Sequence, residues 1–215
     1  MSQNSVTTDE QARLWLRDIL GVSRETEERL AYYVTMLRSE AEKQNLISAS
    51  TFDTIWARHI VDGAQLINLA DAERGAKWLD LGSGPGLPGL VIALCADCKI
   101  TLVESRARRI DFLQHAVTEL DLSSNVTIKG SRLEHIETEA FDVITARAFA
   151  PLPKLLDLSR RFSTKETKWL LPKGKNAINE LANLPKNCQN MFHVEHSVTS
   201  DDAKILVGIG RPNGN

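Results

Sequence analysis

A doubly wound α/β fold, with a seven-stranded, mostly parallel sheet and an N-terminal helical cap, is predicted by three features of the sequence. From Lys77 onward, short apolar runs alternate with amphipathic stretches, the pattern of parallel strands joined by crossover helices. The first of these runs leads directly into a glycine-rich turn, Gly82-Ser83-Gly84-Pro85-Gly86. Residues 1–75, by contrast, show helical spacing and no strand-like alternation.

Taken in order, Leu14, Leu16 and Ile19 precede Gly21, which stops a first helix. Ser23 then caps a long second helix in which Leu30, Tyr33, Val34, Leu37 and Ala41 recur on one face. A further helical stretch covers residues 51–69. Strands are expected at residues 77–81, 100–103, 126–129, 141–146, 169–171, 191–198 and 205–209, with helices over 87–96, 106–120 and 152–162. No Pro- or Gly-rich linker divides the chain. Residues 1–75 are therefore read as a cap packed on residues 76–215, which form one compact unit.

At 215 residues and 42% apolar composition the chain is long enough to bury one core. Its longest apolar run, residues 90–96, is too short to cross a bilayer, and its first residues lack the basic start and apolar stretch of an export signal. Cys95, Cys98 and Cys188 are too few for a disulfide framework. A cytoplasmic monomer with free thiols is expected. Cys95 and Cys98 have metal-like spacing but no second pair, and His193 and His196 fall on opposite faces of a strand, so no metal is expected.

A net charge of -2 argues against a nucleic-acid partner, but the charge is uneven. Between Arg147 and Lys175, eight bases face only Asp157 and Glu166. This stretch is either a solvated face or a rim that meets phosphates.

Ligands of doubly wound sheets bind beyond the carboxyl ends of the strands, where strand order reverses. Gly82, Gly84 and Gly86 let the backbone turn tightly and a ligand approach closely. Glu104 ends the second strand, where a carboxylate accepts both hydroxyls of a ribose. Gly84, Gly86 and Gly89 also fit a dinucleotide fingerprint. Asp80 argues against it, because a carboxylate there repels a pyrophosphate, while Pro85 and Pro88 remove two N–H donors. S-adenosylmethionine, with its ammonium and sulfonium, is the cofactor expected.

After the third strand, Leu133 is placed to cover an adenine ring and Glu134 to meet its polar edge, although Ser131 and Glu134 also make a capping box. Arg147 closes the apolar fourth strand, where its charge needs an anion or acceptor unless it reaches solvent. Lys173 closes the fifth strand on the same rim. Arg147 and Lys173 are expected to position the substrate. Arg106, Arg108 and Arg109 open an amphipathic helix, where they either decorate its outer face or contact RNA.

These residues occur in motifs: Asn45-Leu46, Arg58-His59-Ile60 with Asp62, the run from Gly82 to Gly89, Arg109 with Phe112-Leu113, Ser131-Arg132 with Glu134, Arg147-Ala148-Phe149-Ala150, and Lys173-Gly174. Over residues 45–173 the chain resembles the bacterial small-subunit ribosomal RNA guanine-N7 methyltransferases of the glucose-inhibited-division B type. The resemblance implies methylation at N7 of the guanine conventionally numbered 527 in 16S ribosomal RNA. It also implies cofactor contacts from Gly82, Leu87, Leu133, Glu134 and Arg147, with 16S ribosomal RNA or the small ribosomal subunit as partner. Ile47 stands where the family usually has Thr, and Gly63 where it usually has Ser; both differences touch the RNA side. The alternatives are a small-molecule methyltransferase, a nicotinamide oxidoreductase and a non-catalytic RNA-binding protein.

Overall fold

The structure, a computed structural model, describes residues 5–213; the first four residues of the expected cap and the last two of the expected 76–215 unit lie outside it. The chain begins with α1 (Asp9–Asp18) and α2 (Arg24–Ala41). A 3-10 turn over Ala49–Thr54 and a π-helical turn over Trp56–Val61 then lead into α3 (Asp62–Ala70). The alternating part runs β1 (Ala76–Leu81), α4 (Gly89–Cys95), β2 (Cys98–Glu104), α5 (Ala107–Glu119), β3 (Val126–Gly130), β4 (Val143–Ala146), α6 (Leu152–Ser159) and β5 (Lys168–Pro172). Two short helices, α7 (Ala177–Ala182) and α8 (Lys186–Gln189), precede the closing strands β6 (Phe192–His196) and β7 (Lys204–Ile209).

All seven expected strands form one sheet, in the order β3-β2-β1-β4-β5-β7-β6. β1 to β5 pair in parallel, and β7 inserts antiparallel between β5 and β6. Strand order therefore reverses between β1 and β4, and the crevice at their carboxyl ends is where this topology places a ligand.

The pleat of β1 explains the two-sided core. Trp78 packs on one face, with residues of α2, α3, α4 and α5, while Leu79 and Leu81 pack on the other with those of α6 and α7. The N-terminal helices are integrated with the first of these layers. Thr8 and Gln11 form a reciprocal capping box on α1, and the Ser23 hydroxyl accepts the Thr26 N–H at the start of α2.

Several boundaries differ from the sequence-based expectation. β6 stops at His196 because Ser197 bonds to Gln65 and Thr199, and Val198 N–H donates to Gln65 at 2.9 Å, drawing the chain off the sheet. α4 starts only at Gly89, since the preceding residues complete the glycine turn. The helix expected over residues 51–69 is wound three ways in succession, with the π-turn in its middle. Such turns occur frequently at functional sites.

The basic stretch from Arg147 to Lys175 does not form a single rim. Lys168 opens β5, at the opposite edge of the sheet from Lys173, and donates to the carbonyls of Ala70 and Asp71 at the end of α3. The strand carries the stretch across the sheet, roughly 15 Å at its rise per residue.

Candidate active site

The turn after β1 is built for close approach. Gly82 sits at φ +67° with Phe149 directly over it; a Cβ there would lie 2.6 Å from the phenyl ring. Only glycine meets both conditions without strain. Gly84, Gly86 and Leu87 lie buried beneath, forming the body of the turn. From the N-terminal side, the buried Tyr33 hydroxyl donates to the Pro85 carbonyl at 2.7 Å.

Above this turn is a cavity of about 360 Å³, within the range of small-molecule sites. Gly82, Glu104, Leu133 and Glu134 line it, together with Arg109 and Phe149. The Glu104 carboxylate accepts N–H groups of Gly84, Ser105 and Arg106 at 2.7 to 3.0 Å and faces Arg109 at 3.6 Å. Arg109 is thus a site residue and not outer-face decoration, because the first turn of α5 wraps over the end of β2.

Asp80 is fully buried under the turn. Its Oδ2 accepts the Gly89 N–H at 3.2 Å, while its Oδ1 is left without a partner. Burial pushes its carboxyl up to about 7.

A second cavity, of about 1000 Å³, opens on the other side of residues 148–150, which line both. Arg147 and Lys173 lie here. One Arg147 nitrogen donates to His59 Nδ1 at 3.2 Å and to Asp62 at 3.3 Å. Since a guanidinium only donates, His59 Nδ1 is the acceptor, and its Nε2–H points to the Thr51 oxygen at 2.8 Å. Burial, reinforced by Arg147 and Arg58, pushes His59 down to about 3, so the imidazole is neutral at physiological pH. Asp62 also accepts from Gln65 and Thr199, tying the π-turn to the segment after β6.

Lys173 donates to the Ala150 carbonyl at 3.1 Å and to Glu180 at 3.0 Å, and Glu180 in turn accepts the Leu152 N–H. The wall between the cavities is therefore held at both ends. Ala148 takes a left-handed φ of +54° within it, a strained conformation of the kind that clusters at functional sites.

The expected cofactor residues thus divide. Gly82, Glu104, Leu133 and Glu134 line the smaller cavity; Asp80, Gly84, Gly86 and Leu87 support it from below; Arg147 faces the larger one. Reasoning from the residues alone missed Tyr33, His59, Asp62 and Arg109. Of these, His59, Asp62 and Arg109 carried a signal in the sequence, since they stand in motifs of the family resemblance, whereas Tyr33 showed only as part of an apolar helix face.

Sheet order, glycine turn and the two adjoining cavities define the fold of the class I methyltransferases. Among solved structures, a variant of MtNAS in complex with S-adenosylmethionine matches with a TM-score of 0.57 at 17% identity, covering 98% of this chain and 86% of that one. A precorrin-6y C5,15-methyltransferase from Geobacter metallireducens GS-15 gives 0.51 at 11% identity, covering 79% and 92%. Likeness at such identity shows the fold alone. The sequence model of the GidB family, rRNA small subunit methyltransferase G, matches residues 26–206, and the chain belongs to this family. A ribosomal RNA small subunit methyltransferase G of Sphingopyxis alaskensis is 54% identical over 200 residues, covering 93% of this chain and 85% of the relative. Its namesake from Zymomonas mobilis is 49% identical over 207 residues, covering 93% of each. The resemblance carried by the glycine turn and by Arg147-Ala148-Phe149-Ala150 is borne out.

Proposed function

We propose that the protein transfers a methyl group from S-adenosylmethionine to N7 of guanine 527 in 16S ribosomal RNA. Membership of the rRNA small subunit methyltransferase G family supports the reaction class. The observation that carries the reading is the pair of cavities sharing one three-residue wall at the switch point of the sheet, one sized for a cofactor and the other open enough for a base.

The residues present fit the cofactor. The orphaned Oδ1 of Asp80 is a buried acceptor at the turn that an ammonium donor satisfies. Glu104, held by three N–H donors, keeps acceptor capacity that would take up ribose hydroxyls. Leu133 would cover the adenine face and Glu134 would meet its edge, while Gly82, Gly84, Gly86 and Leu87 would shape the floor. S-adenosylmethionine supplies an electrophilic methyl group on its sulfonium.

Guanine N7 exposes a lone pair without a proton to remove, so the chain's task is positioning, worth up to ~7–11 kcal/mol in well-oriented systems. Arg147, oriented by His59 and Asp62, keeps further N–H donors for the base or a phosphate. Lys173 fixes the wall through Ala150. Residues 1–75 act as a cap on the 76–215 methyltransferase unit. The protein works as a cytoplasmic monomer without a metal, on 16S ribosomal RNA or the small subunit.

Mass-spectrometric mapping of 16S ribosomal RNA from cells with and without the protein tests this directly. Loss of one N7-methylguanosine at position 527 is expected; an unchanged methylation map would sink the assignment and favour a small-molecule methyltransferase.

A further inference from the structure

Several basic side chains along the carboxyl edge of the sheet are already engaged. Arg147 pairs with Asp62, Lys173 with Glu180, Lys175 with Asp202 and Arg109 with Glu104. Arg161 donates to the Leu133 carbonyl. Arg106, Arg132 and Lys154 differ. All three are exposed and line the smaller cavity, and none has an ion-pair or hydrogen-bond partner for its side chain among the described residues. Among those residues, Glu134 is the one exposed acid lining that cavity with them.

These charges are not there for the cofactor. S-adenosylmethionine carries an ammonium and a sulfonium against one carboxylate, so three unpaired cations at the cavity mouth repel it. A polyanion reverses the sign, because each phosphate neutralised by Lys or Arg releases counterions. Of the four Lys and Arg side chains lining the larger cavity, where the target base belongs, Arg147, Lys173 and Lys204 are bonded internally, and Arg58 is exposed with no side-chain partner among the described residues. Phosphates flanking a base seated there meet one unpaired cation, Arg58, within that cavity and a cluster of three across the wall of residues 148–150.

Building on the rRNA methyltransferase function above, we propose that the RNA backbone lies across the mouth of the smaller cavity, held by Arg106, Arg132 and Lys154. Catalysis is then ordered: cofactor enters before RNA, and its demethylated product leaves only after the RNA has gone. Backbone contacts of this kind position without reading sequence, so they leave recognition of the guanine to the larger cavity.

Dissociation of radiolabelled S-adenosylhomocysteine from the full-length protein, with and without unmethylated small ribosomal subunits, tests the order. Bound subunits, verified by co-sedimentation, should slow release at least tenfold. The effect should vanish in an Arg106→Ala, Arg132→Ala, Lys154→Ala triple variant whose melting temperature shows that it folds. The salt dependence of subunit binding should also flatten, its log–log slope falling by about 2–3 for three lost phosphate contacts. Unchanged release from enzyme with subunits demonstrably bound, or an unaltered salt slope in the triple variant, overturns the proposal while leaving the methyltransferase function standing. Absence of any methyl transfer to the subunits by the unaltered protein is the separate result that would remove that function, and this inference with it.

Discussion

The Tyr33 hydroxyl donates to the Pro85 carbonyl across 2.7 Å, joining the middle of α2 to the centre of the glycine turn, 52 residues away in the chain. Both groups are buried, so removing the hydroxyl strands a carbonyl without water. Tyr33→Phe should cost about 1–3 kcal/mol of stability. It should also weaken S-adenosylmethionine several-fold, with kcat nearly unchanged, because the turn loosens while the reacting groups stay put. Chemical denaturation and steady-state kinetics check the two effects.

Asp80 makes stability and cofactor affinity depend on pH in opposite directions. Its carboxyl titrates near 7 in the native protein against 3.8 in the unfolded chain. Between those values the native state holds the extra proton, so this group's contribution to stability is greatest below about pH 4 and is lost as pH rises to about 7. An ammonium, however, binds the ionised form. Affinity for S-adenosylmethionine should fall by up to tenfold per unit as pH drops below about 7, and Asp80→Asn should flatten both profiles. Calorimetry from pH 5.5 to 8.5 that found a level affinity in the unaltered protein would remove Asp80 from the cofactor site.

Arg147 is oriented by His59 and Asp62, which are 88 and 85 residues distant in the chain. Arg147→Ala should lower turnover about a hundredfold or more, the scale of a lost positioning contact. Stability should fall by only about 1–2 kcal/mol, since Asp62 keeps its bonds from Gln65 and Thr199. Equal activity in the variant would refute the role. His59→Ala should share the kinetic loss in weaker form.

Gly82→Ala should be worse than Gly75→Ala. Both glycines have left-handed φ, but a Cβ at Gly75 meets nothing within 4 Å, whereas at Gly82 it collides with Phe149. Backbone strain of about 1–3 kcal/mol is common to the two. The difference in melting temperature measures the Phe149 contact, and a drop in cofactor affinity should appear only at Gly82. Equal melting temperatures would mean that the phenyl ring moves aside without cost.

The sequence by itself determined the seven strands, the capped helices and the residues that gather at the carboxyl edge. These are local properties: apolar period, glycine spacing and the residue closing each strand are all written within ten or twenty positions. Tertiary structure alone decided that β7 slips between β5 and β6, and that residues 148–150 wall two cavities from one another. It also decided that Arg147 meets the π-turn and that Lys168 faces away from Lys173. No local pattern encodes such pairings, because they join segments that burial of a shared core brings together from distant parts of the chain. For the same reason, only three-dimensional accounting of partners distinguished the bases already engaged from the three that stand free at the mouth of the smaller cavity.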